Sequence, residues 1–186
     1  MTEVSSLTGR LLVAAPALTD PNFDRAVVLL LDHDEEGSLG VVLNRPTPVG
    51  VGDVLAPWAA LTGEPDVVFQ GGPVSLDSAL GVAVIPGEEG PLGWRRVHGA
   101  IGLVDLETPP ELLGPAIGSL RIFAGYAGWG PGQLEGELAE GAWYVVESEP
   151  GDVSAPRPER LWRAVLRRQR SELAMIATYA DDPSLN

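Results

Sequence analysis

The chain has 186 residues, of which 45 % are hydrophobic and 20 % charged, a balance typical of one globular domain that buries its own core. It contains no cysteine and no lysine, and its only imidazoles are His33 and His98, so disulfides, thiolate metal sites, lysine chemistry and a three-histidine metal site within one chain are excluded. The formal net charge of −14 disfavours contact with phosphate backbones and anionic lipid.

Glycine and proline are spread along the whole chain and predict many short elements joined by turns. Apolar runs bounded by turn residues predict strands at residues 11–15, 26–31, 39–43, 67–70, 79–85, 94–98, 101–104, 120–124 and 143–146. The turn at residues 34–37 makes the second and third strands a hairpin. Helices are predicted at residues 53–61, from Pro109 or Pro110, at 134–140 and at 158–180, and loops at 46–52 and 125–132.

The last of these helices has the clearest pattern. Its apolar residues recur at helical spacing and make one face that only Gln169 interrupts, so we expect one long amphipathic C-terminal helix that stops at residues 181–183. No apolar run approaches the roughly 20 residues of a membrane span, and the first residues lack a basic signal-peptide region. We therefore expect a cytoplasmic protein.

Two glycine-containing segments could shape a binding surface. Residues 125–132 could aim backbone N–H groups at an anion, but they lack the order of the dinucleotide and P-loop fingerprints, so tight packing around Trp129 is the favoured interpretation. The second segment, Gly71-Gly72-Pro73, ends the strand predicted at residues 67–70. The acidic turn at residues 32–37 resembles the start of a calcium loop, but Leu43 stands where the bidentate glutamate belongs, so no metal site is predicted.

Four segments in order carry a family resemblance. They are residues 9–16 (GRLLVAAP), residues 37–46 (GSLGVVLNRP) after Asp32-His33, residues 71–74 (GGPV), and residues 125–138 (GYAGWGPGQLEGEL) followed by Trp143. Together they resemble the YqgE/AlgH family of bacterial proteins over nearly the whole chain. The resemblance implies one α+β domain over residues 1–186, with a mixed, mainly antiparallel sheet flanked by helices.

The resemblance implies little about chemistry. The family's members are mostly of unknown function, and some are labelled transcriptional regulators. This sequence has no helix-turn-helix pattern and an acidic body, which argues against direct DNA binding and makes an indirect effect on transcription the simpler interpretation.

The favoured hypothesis is a non-enzymatic binding or regulatory module, because no complete catalytic set is present. We expect the partner to be a small ligand or a protein, and we expect no membrane association, no cofactor and no metal. If the fold brings three loops together, the candidate binding residues are Asn44, Arg45, Gly71, Gly72, Pro73, Gly128, Trp129, Gln133 and Glu135.

Two alternatives belong to other functional classes. A small-molecule hydrolase would use carboxylates or a divalent metal, with the candidates Asp32, His33, Glu135 and Glu137. A nucleic-acid-binding protein would use the six arginines of residues 157–170, with Arg163, Arg167 and Arg170 on one exposed helix face.

Overall fold

The computed structural model describes residues 6–87, 89–170 and 172–178. Within these ranges the chain forms ten strands: β1 (Leu11–Ala14), β2 (Val27–Asp34), β3 (Gly37–Val42), β4 (Pro46–Gly50), β5 (Val67–Gln70), β6 (Val74–Val84), β7 (Trp94–His98), β8 (Ile101–Val104), β9 (Ser119–Trp129) and β10 (Trp143–Val146). The same residues form six short α-helices: α1 (Val51–Val54), α2 (Pro110–Leu113), α3 (Gln133–Ala139), α4 (Pro150–Val153), α5 (Leu161–Arg167) and α6 (Leu173–Ile176).

The strands form one curled sheet in the order β10-β1-β2-β3-β9-β6-β8-β7. Strands β4 and β5 lie off this path, where β5 pairs with β9 and β4 pairs with β5. The β5–β9 pair is parallel and the other pairs are antiparallel. The expected mixed, mainly antiparallel sheet flanked by helices is therefore confirmed.

The two faces of the sheet are covered differently. One face packs its alternate residues, such as Leu29, Val41 and Phe123, against α4, α5 and α6 in one large core. The opposite face has two separate cores. One lies against α3 around Trp129, and the other lies against α1, α2 and the 3₁₀ turn Ala56–Leu61. We call this opposite side the second face.

The hairpin of β2 and β3 forms as expected, with Asp34 opposite Gly37. Two segments predicted as loops are strands instead. Residues 46–50 form β4, because an edge strand bonded on one side tolerates Pro46 and Pro48. Residues 125–129 extend β9, because Gly125 and Gly128 lie where neighbouring strands pair closely with it. The helix predicted at residues 53–61 is split into α1 and the 3₁₀ turn that contains Pro57.

The long C-terminal helix is a wrong prediction. A 3₁₀ turn, Pro158–Arg160, leads into α5, which ends at Arg167, and α6 is a separate short helix. At the break, the Gln169 side chain donates to the Val165 carbonyl and Arg168 forms ion pairs with Glu149 and Asp152. These bonds hold the chain out of the helical path. The predicted end at Ala180 and the stop signal at residues 181–183 lie outside the described residues.

Among the described residues, no helix combines the length and the apolar composition needed to cross a bilayer.

Candidate functional site

A small cavity on the second face collects polar side chains from three distant parts of the sequence. Its volume is about 170 Å³. It is lined by Pro21, Asn22, Val42, Arg45, Gln70, Gly72 and Pro73. We call it the Arg45 cavity. It brings together three of the candidate residues, Arg45, Gly72 and Pro73, and adds Asn22 and Gln70.

Gly72 forms part of the wall, and the backbone of Gly71 and Gly72 passes very close to β9. Gly71 accepts a hydrogen bond from the Val42 N–H at 2.8 Å, and its own N–H donates to the Ala124 carbonyl at 2.9 Å. A Cβ atom on Gly71 would lie 2.4 Å from the Gly125 carbonyl oxygen, and one on Gly72 would lie 2.2 Å from the Tyr126 carbonyl group. Only residues without a side chain fit there, so both glycines shape the backbone.

Arg45 supplies the positive charge of the cavity. Its carbonyl oxygen accepts the Gln70 N–H at 2.8 Å, which fixes it beside β5, and its guanidinium donates to the backbone carbonyl of Asp24. Burial lowers the pKa of Arg45, and the nearby Asp24 carboxylate offsets part of this effect. The side chain stays charged at neutral pH while it lacks part of its hydration. A planar guanidinium in this state favours a carboxylate ligand with two parallel hydrogen bonds.

Asn44 does not take part in this cavity's lining. It is buried, its Oδ1 accepts the Val27 N–H at 3.0 Å, and its Nδ2 donates to the Arg25 carbonyl at 2.8 Å. Both ends of the amide therefore fix the start of β2.

The remaining candidates lie at the junction of β9 and α3. Gly128 is paired with Leu39, and Trp129 is buried beneath α3. Gln133 accepts the Gly130 N–H and donates to Glu137, both at 3.0 Å. These bonds close the start of α3 onto the end of β9, and none of the candidates from Gly128 to Glu135 lines the Arg45 cavity.

A second polar group occurs beside this junction. His33 is buried, its Nδ1 shares a 2.5 Å hydrogen bond with the Ser38 hydroxyl, and its Nε2 lies 3.6 Å from Glu135 Oε2. A cavity of about 240 Å³ adjoins Ser38 and Trp129, and its charged lining is acidic, with Asp32, Asp34 and Glu36. Such a lining repels anionic ligands.

Of the hydrolase candidates, His33 and Glu135 lie side by side, with Nε2 and Oε2 3.6 Å apart. Among the described residues, no group of three or more histidine, aspartate or glutamate side chains is placed to hold a metal ion. The helix expected to carry Arg163, Arg167 and Arg170 ends at Arg167, and Arg163 donates to the Ala177 carbonyl.

Asn22 and Gln70 were not recognised in the sequence. Gln70 ends the apolar strand β5 directly before the two glycines, and a polar residue at that point was the available signal. Asn22 lies in a turn after Pro21, where its N–H donates to the Asp20 carboxylate at 2.9 Å, and nothing in such a turn indicates a distant cavity.

A family model, sequence relatives and solved structures all show similarity to one family. A family model described as AlgH-like matches residues 11–174. A UPF0301 protein from Streptomyces coelicolor is 84% identical over 100% of this chain and 98% of its own, and one from Thermobifida fusca is 50% identical over 97% and 96%. The crystal structure of a protein from Corynebacterium diphtheriae has a TM-score of 0.89 at 33% identity and covers 96% of this chain and 95% of its own. The solution structure of the AlgH protein from Pseudomonas aeruginosa has a TM-score of 0.69 at 27% identity, with 97% of each chain covered.

Proposed function

The chain belongs to the AlgH-like family, and from this premise we propose that it is a cytoplasmic, non-enzymatic binding or regulatory module. We place its binding site in the Arg45 cavity and propose that the ligand is a small carboxylate. The transcription label given to some relatives would then reflect a ligand-dependent regulatory effect without direct DNA contact.

One observation carries this proposal. Arg45 is half-buried, its pKa is lowered mainly by loss of hydration, and it lines a cavity together with Asn22 and Gln70. A carboxylate would replace the missing water with charge-assisted hydrogen bonds, while the two amides could donate to its remaining lone pairs. The acidic cavity near Ser38 offers an anion no such stabilisation.

The test is a calorimetric titration of the whole chain with propionate, with propylamine as a cation of the same size. We expect propionate to bind and propylamine not to bind. Arg45→Gln should weaken propionate binding by at least about tenfold, because a hydrogen bond to a charged group contributes roughly 1.5–3 kcal/mol.

Arg160→Gln is the matched control, since it removes the same charge from an exposed residue of the 3₁₀ turn Pro158–Arg160. It should leave the affinity unchanged. Arg45→Lys keeps the charge without the planar fork and should give an intermediate affinity. Equal binding of propionate by the Arg45→Gln protein, with its melting temperature unchanged, would contradict the proposal.

A further inference from the structure

A larger, mainly apolar cleft lies on the second face close to the Arg45 cavity. Its volume is about 330 Å³, within the range of small-molecule sites. Val68 of β5 and Ile122 and Ala124 of β9 form its floor. The core beneath α1 ends at this cleft, so the sheet surface is open there between α1 and β6.

The rim of the cleft concentrates exposed apolar side chains. Val49, Val54 and Leu76 line it with exposed fractions of 42%, 57% and 52%. Isolated apolar residues on a surface are ordinary, but three around one concave surface form a patch that favours an apolar ligand.

One wall of the cleft is a wide bulge in β6. Val74 pairs with Tyr126 and Ala79 pairs with Ala124, so four residues of β6 lie opposite the single residue Gly125. Within the bulge Ser75 has a φ of 51°, a conformation that is costly for a residue with a side chain. Bulges of this kind redirect side chains beside binding sites, and this one places Leu76 and Asp77 at the cleft.

The cleft and the Arg45 cavity are neighbours on the same strand and the same face. Val68 lines the cleft and Gln70 lines the cavity. These residues are two positions apart on β5, so their Cα atoms are separated by roughly 7 Å and their side chains point the same way. Arg45 and Thr47 are also two positions apart on the neighbouring chain segment. Arg45 lines the cavity and Thr47 lines the cleft.

We propose that the two cavities form one bipartite site for an amphiphilic monocarboxylate, with the carboxylate on Arg45 and the hydrocarbon or aromatic part in the apolar cleft. This inference rests on the proposed function and specifies its ligand class. Asp77 lines the cleft and repels a second negative charge at the far end of the ligand, which favours a monocarboxylate over a dicarboxylate.

The experiment is a calorimetric series of straight-chain carboxylates with three, six, eight and ten carbons, each below its micelle concentration. Affinity should rise with every added methylene group, by up to about fourfold for one that becomes fully buried. Octanedioate should bind more weakly than octanoate. Octanol should bind more weakly than octanoate to the unmodified protein, because it offers no charge to Arg45.

Ala79→Phe fills the cleft from an exposed strand position, where an aromatic residue suits the strand. We expect it to abolish the gain with chain length while propionate binding stays unchanged. Ala164→Phe, at an exposed position of α5, is the matched control and should keep the full gain. Leu76→Ser removes part of the wall without adding bulk and should reduce the gain.

The outcomes separate the two proposals. If affinity is the same for all chain lengths but still depends on Arg45, the bipartite site is wrong and the carboxylate site stands. If the gain with chain length persists in Ala79→Phe, the tail binds elsewhere and the inference is again wrong. If octanol equals octanoate and Arg45→Gln has no effect, both proposals fail.

Discussion

Arg121 is a charged side chain in the core of the protein. It is 3% exposed, its Nη2 donates to the Glu64 carbonyl at 3.3 Å, and its guanidinium lies 4.3 Å from the centre of the Phe69 ring. Its Nη1 has no hydrogen-bond partner among the described residues. Loss of hydration lowers the pKa of Arg121 to about 10. The buried cation therefore opposes folding more than its contacts offset.

Arg121→Met should raise the free energy of unfolding by about 1–2 kcal/mol, because methionine keeps the apolar stem and removes the buried charge. The folded-state pKa of about 10 lies below the ordinary value of an arginine, so the folded protein binds fewer protons than the unfolded chain only at pH values between the two pKa values. The charge penalty is fully present below pH 10 and decreases above it. Urea denaturation should therefore show a constant difference between variant and parent from pH 6 to 9, and a less stable variant would contradict this account.

Glu137 is the acceptor for two buried indoles. Its Oε1 accepts Trp129 Nε1 at 3.0 Å and Trp143 Nε1 at 2.9 Å, and its Oε2 accepts Gln133 Nε2. Glu137→Ala should lower the free energy of unfolding by about 2–4 kcal/mol, because both indole N–H groups lose their acceptor. Denaturation followed by tryptophan fluorescence measures this.

Two variants test whether the acceptor itself is responsible. Glu137→Gln keeps an oxygen in place and should lose less than half as much stability. Glu140→Ala removes an exposed carboxylate from the end of the same helix and should have little effect. Equal losses for alanine and glutamine at position 137 would contradict the role assigned to the oxygen.

At the scale of elements, the Gly71–Gly72 turn determines whether β5 and β6 can lie against β9. A Cβ on Gly72 would collide with the Tyr126 backbone, and nothing flexible can move aside. Gly72→Ala should therefore lower the free energy of unfolding by about 3 kcal/mol or more, in the range of other forced backbone shifts. Thermal denaturation and calorimetry would show it.

Gly136 provides the opposite case. It lies within α3, and a Cβ there meets no atom within 4 Å. Gly136→Ala should raise the free energy of unfolding by roughly 0.5–1 kcal/mol, since alanine favours a helix over glycine. If both variants shifted stability in the same direction, the packing argument for Gly72 would be wrong.

The elements that the sequence predicted well are those in which local pattern and tertiary position agree. The apolar runs of β1, β2 and β5 form strands because both faces of the sheet are covered. Strand β4 was missed because its prolines resemble a loop, and only its edge position makes them acceptable. The C-terminal helix was overpredicted because α5 and α6 both pack on the same core, so one apolar period continues across a break.

The sequence indicated some of the residues of the candidate site and missed others. A strand-end arginine and a Gly-Gly-Pro break indicated Arg45, Gly72 and Pro73, since both features mark positions where backbone turns toward a surface. The residues around Gly128 and Gln133 were grouped with them only because they are also glycine-rich or polar. Gly72 lies against the peptide between Tyr126 and Ala127, one residue before Gly128, yet the four candidates from Gly128 to Glu135 do not line the Arg45 cavity. Local sequence does not encode which residues line a cavity.

At the scale of the whole molecule, we propose that the chain is one domain. One core runs beneath β1, β2, β3, β5, β6, β8, β9 and β10, so it joins the strands that carry the two separate cores of the second face. Unfolding by urea should give one transition, with tryptophan fluorescence and far-ultraviolet circular dichroism coinciding. Two separated transitions would contradict a single domain.

The negative net charge of the whole protein also affects which ligands it can bind. With a net charge of −14, the surface as a whole repels anions, so a carboxylate must gain its affinity from local contacts at Arg45 and from apolar burial. The second face offers both side by side, because Val68 of the cleft and Gln70 of the Arg45 cavity are roughly 7 Å apart on β5.

A two-dimensional amide NMR titration of the isotopically labelled chain with octanoate tests the bipartite carboxylate site. We expect the largest shift changes in the backbone around Arg45, Gln70 and Gly72 and in the β6 bulge at Leu76. Changes centred on the arginines of α5 or on the acidic cavity beside Ser38, with Arg45 and Leu76 unaffected, would contradict it.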